Sequence, residues 1–379
     1  MSAPLFRTEG LFFRYEGGRG DALADVNITI KEGARTVIMG ANGAGKSTFF
    51  YHLNGVLRPS KGAVFFRGEK IPHRGKALRK LRSEVAVMLQ DPNDQLFAPK
   101  VSDDIAFGPK NLGLDAQTVG ERVRDALNIT GIESLEGRSV MQLSFGQKKR
   151  VVLAGALAMH PKVLIMDEPT AGLDPQMSKE LIELADELHH LGTTVIFSTH
   201  DVDLSYSWAD EVHVLRGGRN VYSGSSERFY DDTSEVYLSG LVEPAMYDIN
   251  VSISELAGCP VEPFPKTLPQ LVAKAVPSEG PGTVHILPVE GPVDREMFSS
   301  LMSGPGMSAT GVYGTKARKS AEASKLPIDY FFGADEGCII EALHGKDTLI
   351  CCDRSLTDLL ISKIGSMSRF GTEVPYSLH

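Results

Sequence analysis

Residues 40–48, with the sequence GANGAGKST, have the spacing of a loop that binds phosphate groups. A glycine, four further residues and the tripeptide 45–47 match the pattern G-x-x-x-x-G-K-[ST], between a strand-like run and a helix-like stretch. The glycines let backbone amides approach phosphate oxygens, Lys46 reaches the terminal phosphates, and Ser47 supplies a magnesium ligand. We therefore predict a nucleotide site formed by Gly40, Ala41, Asn42, Gly43, Ala44, Gly45, Lys46, Ser47 and Thr48.

Two adjacent carboxylates end the apolar run of VLIMDEP, residues 163–169. Asp167 stands at the end of a predicted buried strand, where it can hold magnesium through a water molecule. Glu168 is placed to orient and deprotonate an attacking water molecule. Alone, such a pair is more often a solvated strand end, but together with a phosphate loop it favours nucleotide hydrolysis.

A second candidate anion site lies in LSFGQ, residues 143–147, before a helix predicted over 147–159. The Ser144 hydroxyl, the Gly146 amide and the N-terminus of that helix together suit an anion. One chain would then carry two phosphate sites, which a single nucleotide does not require.

Strand-like and helix-like stretches alternate from residue 1 to about 230, which indicates an α/β domain that holds these motifs. The predicted strands are 36–40, 84–90, 162–168 and 193–200, and the predicted helices include 46–57 and 178–192. Spacings of three and four place four leucines on one face of the helix 178–192, and Gly192 is a natural end for it. These leucines are Leu181, Leu184, Leu188 and Leu191.

A proline-rich segment follows this region. Eight prolines fall within residues 259–293, which disfavours a long regular element there. Beyond it, strands are predicted at 283–289, 310–314, 327–333 and 347–353, with helices near 315–325, 336–344 and 355–364. We predict a nucleotide-binding domain over 1–235, a proline-rich linker or irregular segment over 236–293, and a small α/β domain over 294–379.

Composition excludes several classes of protein. The net charge is 39 − 48 = −9, so nothing suggests a nucleic-acid partner. The four cysteines all follow residue 258, which fits a reducing cytosol better than a disulfide framework. We see no signal peptide, and the longest apolar run, 151–159, is too short for a membrane span. Work at a membrane would therefore depend on partner subunits that span it.

Seven motifs in order resemble the ATP-binding subunits of ABC transporters over about residues 5–230. They are Tyr15 in FFRYEGG, the phosphate loop, Gln90 in VMLQDP, LSFGQ, LIMDEP, AGLDP at 171–175 and His200 in FSTHD. The resemblance implies an α/β fold of the P-loop NTPase type, namely an ABC nucleotide-binding domain, with a smaller C-terminal α/β domain.

The resemblance also implies a role for each motif. In that family the signature, here Ser144, Gly146 and Gln147, contacts ATP bound by the other subunit of a head-to-tail dimer, which explains the second phosphate site. Lys46, Gln90, Glu168 and His200 are the implied catalytic residues. Further implied roles are adenine stacking for Tyr15, magnesium binding for Ser47, Gln90 and Asp167, a dimer-interface position for Asp174, and γ-phosphate contact for His200.

One residue departs from the family pattern. Position 145 is phenylalanine where the family usually has glycine. A bulky side chain there can narrow the approach to the partner's phosphate. The retained Gly146 is the better candidate for close amide contact, so we expect a working site with altered nucleotide turnover.

The segment QDPNDQLFAPKVSDDIAFGPKNLGL, residues 90–114, is similar to the energy-coupling-factor importers, and most similar to their cobalt/nickel uptake ATPase. That resemblance implies ATP and Mg²⁺, a second ATPase subunit as homodimer or heterodimer, a transmembrane coupling subunit, a membrane substrate-binding subunit, and a peripheral place at the cytoplasmic face of the cell membrane. Candidates for contact with the coupling subunit are Asp94, Gln95, Leu96 and Phe97, against the alternative of an ordinary polar loop. A vitamin importer and a soluble ABC ATPase remain alternatives.

The C-terminal region invites a second hypothesis. Cys338, His344, Cys351, Cys352 and Asp353 are residue types that suit cobalt or nickel, which would make the region a metal sensor that regulates transport. Adjacent cysteines in a strand point to opposite faces, however, so buried structural cysteines are the favoured interpretation.

Overall fold

The computed structural model describes residues 4–276, 280–303 and 307–379. Two compact units make up the chain. The first contains residues 1–181 and 192–243, and the second contains residues 182–191 and 244–379. The helix Pro175–His190 therefore begins in the first unit and ends in the second.

In the described part of the first unit, the strands form two sheets. They are β1 (Pro4–Phe13), β2 (Leu23–Val26), β3 (Thr29–Lys31), β4 (Thr36–Met39), β5 (Lys61–Phe66), β6 (Glu69–Lys70), β7 (Val85–Met88), β8 (Val163–Asp167), β9 (Thr194–Thr199), β10 (Glu211–Arg216) and β11 (Arg219–Gly224). One sheet is antiparallel with the order β2-β1-β5-β6, and β3 also pairs with β1. The other has the order β11-β10-β4-β9-β8-β7 and is parallel except for the terminal strand β11.

Helices connect these strands. They are α1 (Lys46–Leu53), α2 (Gly75–Glu84), α3 (Val101–Asn111), α4 (Ala116–Thr130), α5 (Phe145–Leu157), α6 (Pro175–His190), α7 (Val202–Trp208), α8 (Ser226–Phe229) and α9 (Thr233–Leu238). The helices α3, α4 and α5 share an apolar cluster that includes Ile105, Leu127 and Val151. This small helical core supports the start of α5, where the LSFGQ motif lies.

Every residue of β4, β8 and β9 is buried, as the unbroken apolar runs predict for parallel strands covered on both faces. The parallel strands also run in one direction, so their carboxyl ends meet at one edge of the sheet. There the register pairs Met39 with Thr199 and Asp167 with Ser198. The phosphate loop, the two carboxylates and His200 therefore follow neighbouring strand ends.

The second unit has a four-stranded parallel sheet with the order β13-β14-β12-β15 in its described residues. Its elements are α10 (Ala245–Ala257), α11 (Leu268–Ala275), β12 (Val284–Val289), α12 (Arg295–Met302), β13 (Met307–Tyr313), α13 (Thr315–Ala323), α14 (Ala334–Leu343), β14 (Asp347–Asp353), α15 (Thr357–Gly365) and β15 (Tyr376–Leu378). Two apolar clusters cover alternate side chains of this sheet. Ile350 and Cys352 belong to one cluster, and Leu349 and Cys351 belong to the other.

The α/β fold is confirmed, and the predicted strands and helices mostly form with small shifts at their ends. The segment 236–293 differs from the prediction, because it contains α10, α11 and β12 instead of an irregular linker. Its prolines are compatible with helices since Pro244 precedes α10 and Pro269 lies in the first turn of α11, where no intrahelical N–H is required. Along the chain, the first unit ends at residue 243, whereas the prediction ended the nucleotide-binding domain at residue 235.

Two further predictions are wrong. Residues 327–333 form only a single bridge, between Gly311 and Tyr330, because Pro327 has no N–H and the Asp329 side chain takes the Thr310 amide. Leu191 lies beyond the end of α6 and is 57% exposed, whereas Leu181 and Leu188 on the predicted face are buried.

Candidate functional site

The phosphate loop connects β4 to α1 and depends on two glycines. Gly40 has a φ of 146°, and a Cβ there would lie 2.3 Å from the Leu215 carbonyl oxygen. Gly45 has a φ of 105°, and a Cβ there would lie 2.8 Å from the Ala22 carbonyl oxygen. No larger residue fits either position without moving backbone, so the two glycines let the loop pass close to its neighbours before α1 begins.

Lys46 folds back over this loop. Its Nζ donates hydrogen bonds to the carbonyl oxygens of Gly40 at 2.7 Å and Ala41 at 3.3 Å. The same ammonium lies 3.0 Å from Glu168 Oε1, and both side chains are only 6% exposed. A buried ammonium with one carboxylate partner is suited to exchange that partner for a phosphate oxygen of similar charge.

The carboxylates at the end of β8 are fixed by β9. Ser198 Oγ donates to Asp167 Oδ1 at 2.5 Å and accepts from the Glu168 amide at 3.1 Å. His200 Nδ1 lies 3.0 Å from Glu168 Oε2. The structure thus brings together Lys46, Asp167, Glu168 and His200 as predicted, and adds Ser198, which lies directly opposite Asp167 in the strand register.

The backbone of Glu168 adopts a conformation that few residues other than glycine accept. Its φ is 46°, in the left-handed region. Such a conformation costs about 1–3 kcal/mol and persists where the surroundings hold it in place. It turns the carboxylate out of the strand direction, toward both Lys46 and His200.

Lys149 is a residue of this site that sequence reasoning missed. It is 2% exposed, and its Nζ donates to the carbonyl oxygens of Glu168 at 3.0 Å and Pro169 at 2.8 Å. Burial lowers the pKa of its ammonium to about 8. The available signal is its position three residues after Gly146 and three before Val152, which places a lysine on the buried face of α5.

The signature begins α5 two residues earlier than predicted. Ser144 is the N-cap, since its Oγ accepts from the Gln147 amide and its own amide donates to Gln147 Oε1. This capping box fixes the first turn, whose amides have no partners within the helix. A Cβ at Gly146 would lie 2.5 Å from Met177 Sδ, so this glycine also permits close packing against α6.

Phe145 is turned toward the AGLDP segment. A Cβ on Gly172 would lie 2.8 Å from Phe145 Cε1, so the aromatic ring covers this glycine. The Phe145 side chain is 39% exposed, and Lys149 Nζ lies 5.6 Å from its ring centroid. Asp174 caps α6, because its Oδ1 accepts from the Met177 amide at 2.8 Å.

Tyr15 and Gln90 lie at the margins of the site. The Tyr15 hydroxyl is 3.1 Å from Thr48 Oγ1, and its 45%-exposed side chain leaves the ring available for stacking. Gln90 follows β7 by two residues and is exposed, and within residues 4–276 no hydrogen bond joins its side chain to the carboxylates.

The loop after Gln90 presents only part of the predicted contact surface. Gln95 is used internally, since its side chain binds the Leu89 amide and the Val87 carbonyl oxygen. Leu96 packs against the helical core, whereas Phe97 is 60% exposed and meets the ring of Phe107 at 4.3 Å between centroids.

This sheet edge, with its phosphate loop, paired carboxylates and capped signature helix, defines an ATPase of the ABC transporter class. The family model described as ABC transporter matches residues 23–171. The energy-coupling factor transporter ATP-binding protein EcfA2 of Methanospirillum hungatei is 32% identical over 97% of this chain and 94% of its own length. The chain belongs to this family of energy-coupling-factor ATPases, and it binds and hydrolyses ATP.

Other relatives agree with this assignment. EcfA of Methanocaldococcus jannaschii is 41% identical over 68% of this chain and 92% of its own length. The solved structure of cbiO1 from Clostridium perfringens, described as part of the ABC transporter complex cbiONQ, is 38% identical with a TM-score of 0.56. It spans 68% of this chain and 98% of its own. Among the described residues, no helix is both long and apolar enough to cross a membrane.

Three of the four cysteines of the second unit, Cys338, Cys351 and Cys352, are buried in apolar surroundings, whereas Cys259 is exposed. Cys338 and Cys352 lie in one cluster and Cys351 in the other, and burial raises the pKa of the Cys351 thiol to about 12. Within the described residues, no three His, Cys, Asp or Glu side chains are grouped to hold a metal ion. The thiols therefore fit the structural interpretation.

Proposed function

We propose that ATP hydrolysis by this chain drives an importer that takes up cobalt or nickel. The chain works with partner subunits in the membrane. The observation that carries the proposal is the cluster in which Lys46, Glu168 and His200 converge beside the phosphate loop. The chain belongs to the energy-coupling-factor ATPases, and the sequence of residues 90–114 most resembles the cobalt/nickel branch. The first compact unit, residues 1–181 and 192–243, performs this reaction.

Glu168 acts as the general base in this proposal. Its carboxylate accepts a proton as the water oxygen bonds to the γ-phosphorus, and the bond from that phosphorus to the bridging oxygen breaks to leave ADP and phosphate. Lys46 exchanges its contact with Glu168 for the terminal phosphates, and its positive charge stabilises the developing negative charge. His200 contacts the γ-phosphate and steadies the carboxylate through Nδ1.

The residues present fit Mg²⁺, which prefers oxygen ligands. Ser47 lies in the first turn of α1, and Asp167 is a buried carboxylate whose orientation is fixed by Ser198. Ser47, Asp167 and the amide oxygen of Gln90 would hold the ion. When bound, Mg²⁺ neutralises charge on the phosphate oxygens.

Tyr15 supports the adenine end of the nucleotide. Its ring meets Phe13 edge-on at 4.9 Å, and its hydroxyl bonds to Thr48, so the ring is held beside the phosphate loop. Such a braced, half-exposed aromatic ring suits stacking on a base.

The signature serves the nucleotide of a second ATPase subunit in a head-to-tail dimer. Ser144, Gly146 and Gln147 would complete the partner's site, with Asp174 at the interface. ATP binding would close such a dimer and hydrolysis would release it. Because the Phe145 ring covers Gly172, we infer that it leaves the helix N-terminus open to the partner's phosphate.

The membrane partners are a transmembrane coupling subunit and a membrane substrate-binding subunit, with this chain at the cytoplasmic face. The exposed pair Phe97 and Phe107 is the candidate contact for the coupling subunit. Affinity purification of the tagged protein from detergent-solubilised cells tests this proposal, with the partners identified by mass spectrometry. Recovery of both membrane subunits supports it, and recovery of soluble partners alone contradicts it.

The cargo is tested with the same purified complex. Reconstituted into vesicles with ATP on the side of this chain, the complex should take up radioactive cobalt or nickel. Uptake of a vitamin instead of either ion would assign the complex to the vitamin importers.

We also propose that the C-terminal region regulates the ATPase through α6. Within the second unit, Glu183 accepts hydrogen bonds from Arg318 Nη2 at 2.5 Å and the Gly333 amide at 2.7 Å. Lys363 Nζ lies 3.3 Å from Asp186 and 2.8 Å from Asp335. Asp174 of the AGLDP segment caps the first turn of α6, and these contacts hold the later turns of the same helix.

A matched pair of arginine variants tests this regulation in the full chain. Arg318→Ala removes a largely buried partner of α6, whereas Arg354→Ala removes an exposed pair with Glu290 in the same unit. If the contacts on Glu183 and Asp186 restrain α6, Arg318→Ala should change the rate of ATP hydrolysis by about twofold or more, and Arg354→Ala should not. Equal rates in both variants would contradict the proposed regulation.

A further inference from the structure

We propose that Lys149 is a positioning residue, which holds the backbone of Glu168 and Pro169 against α5, the helix that begins at the signature. The inference rests on the proposed role of Glu168 as general base. It goes beyond that role because it connects the site that binds one nucleotide with the helix that would contact the other.

The first observation is the pair of hydrogen bonds from Lys149 Nζ to the carbonyl oxygens of Glu168 and Pro169, at 3.0 and 2.8 Å. On the other side, the Glu168 amide donates to Ser198 Oγ. The peptide groups before and after Glu168 are thus both held, by β9 and by α5. Since the Glu168 φ of 46° is unfavourable on its own, these bonds supply the restraint that such a conformation needs.

The second observation is the way α5 contacts the segment that follows Glu168. The Phe145 ring, one helical turn before Lys149, covers Gly172. Residues 168–169 and residue 172 are therefore both contacted by the first two turns of α5. A displacement of the helix at its Ser144 cap would pass through these contacts to the catalytic carboxylate.

A charged donor suits this position better than a neutral one. Lys149 is 2% exposed, and its ammonium has three donors for two carbonyl oxygens. The nearby carboxylates of Glu168 and Asp167 favour its charged form and offset part of the cost of burial. An apolar side chain would leave two buried carbonyl oxygens without their donors.

The test compares Lys149→Met, Lys149→Gln and Lys149→Arg in the full-length protein, with Lys148→Met as control. Lys148 is the residue before Lys149 in α5, and its Nζ donates a hydrogen bond to Asn93 Oδ1 at the surface. For each variant, kcat and KM for ATP, the Kd of a fluorescent ATP analogue and the thermal midpoint are measured. If Lys149→Met does not fold, Lys149→Gln, which keeps one donor group, carries the test.

We expect Lys149→Met to lower kcat by about 10- to 100-fold, because a small displacement of a catalytic group has an effect of this size. The KM for ATP and the Kd of the analogue should stay within about twofold, since neither hydrogen bond touches the phosphate loop. Lys149→Arg should recover most of the lost kcat, and Lys148→Met should match the wild type. Unchanged kcat in Lys149→Met, or a loss that follows the analogue Kd, would overturn the proposal.

The double variant with Glu168→Gln separates this inference from the proposed function. If Lys149 acts through Glu168, adding Lys149→Met to Glu168→Gln should cause no further loss of kcat. A further loss equal to that of Lys149→Met alone would show an independent, purely structural effect and overturn the inference. Wild-type turnover in Glu168→Gln alone would instead contradict the proposed function.

Discussion

At the scale of single residues, the site depends on backbone conformations as much as on functional groups. Gly40 and Glu168 both have positive φ values, of 146° and 46°, and both lie at the carboxyl end of a buried strand. One lets the loop pass Leu215, and the other directs the carboxylate toward Lys46. The ends of the buried strands therefore determine where these residues lie, and the backbone conformation of each residue determines its direction.

The glycine requirement is tested by Gly40→Ala. Its Cβ would lie 2.3 Å from a backbone oxygen, so the loop must shift, and we expect ATP affinity to fall by about tenfold or more since such strain costs 1–3 kcal/mol. Gly33→Ala is the control, because Gly33 also has a positive φ but nothing lies within 4 Å of its Cβ position. Equal ATP affinity in both variants, measured by titration, would contradict this explanation.

The motifs of the site could be predicted from sequence because they are local patterns. Lys46, Asp167 and Glu168 each stand in a short pattern next to an apolar run, and strand order then brings them together. The spacing of Lys149 marks it as buried, but its role could not be found in this way, since its partners are carbonyl oxygens 19 and 20 residues away, which no side-chain pattern marks.

At the scale of elements, α6 is the unusual one because its residues belong to both compact units. Its later turns carry Glu183 and Glu187, whose carboxyl pKa values are raised mainly by burial. A raised pKa in the folded state means that folding favours the protonated form. Stability from these groups is therefore fully present below the usual Glu range and is lost as pH rises through their raised pKa values.

The variant Glu187→Gln tests this element. Thr315 Oγ1 can still donate to the amide oxygen, while the buried charge and its repulsion from Asp353 are removed. We expect the thermal midpoint to rise by about 2 °C at pH 8 and to change less at pH 4.5, because lowering the pH favours the protonated carboxyl and so reduces the cost of the buried charge in the wild type. Calorimetry at the two pH values measures this, and an equal change at both would contradict the assignment.

The element boundaries that sequence could not predict have local physical causes. Residues 327–333 are strand-like in composition, but Asp329 binds the Thr310 backbone with its side chain and so replaces a ladder bond. In residues 236–293, Pro244 and Pro269 stand at helix starts, and composition alone does not distinguish a helix cap from a linker. By contrast, β8 and β9 were predictable from their mainly apolar sequences, which correspond to strands in which every residue is buried.

At the scale of the whole molecule, the second phosphate site that we propose at the signature requires a second subunit. Purified alone, this chain can pair only with its own copies. In a head-to-tail dimer, a chain with Lys46→Ala and a chain with Ser144→Arg together contain one intact site, whereas each variant alone contains none.

Mixing these two variants should therefore restore ATP hydrolysis to about a quarter of the wild-type rate, since half of the mixed dimers carry one intact site of two. A mixture of Lys46→Ala with Glu168→Gln is the control, because both defects lie in the same chain's half of the site and the mixed dimer gains no intact site. No recovery with Ser144→Arg would contradict the shared sites.

The most direct measurement is the rate of ATP hydrolysis by Glu168→Gln beside that of Glu136→Gln, which changes an exposed glutamate outside the seven motifs. We predict that Glu168→Gln lowers kcat by about 10²–10⁴ and keeps ATP binding, since only the proton acceptor is lost. Glu136→Gln should match the wild type. Turnover by Glu168→Gln at the wild-type rate would contradict the assignment of the base and the mechanism built on it.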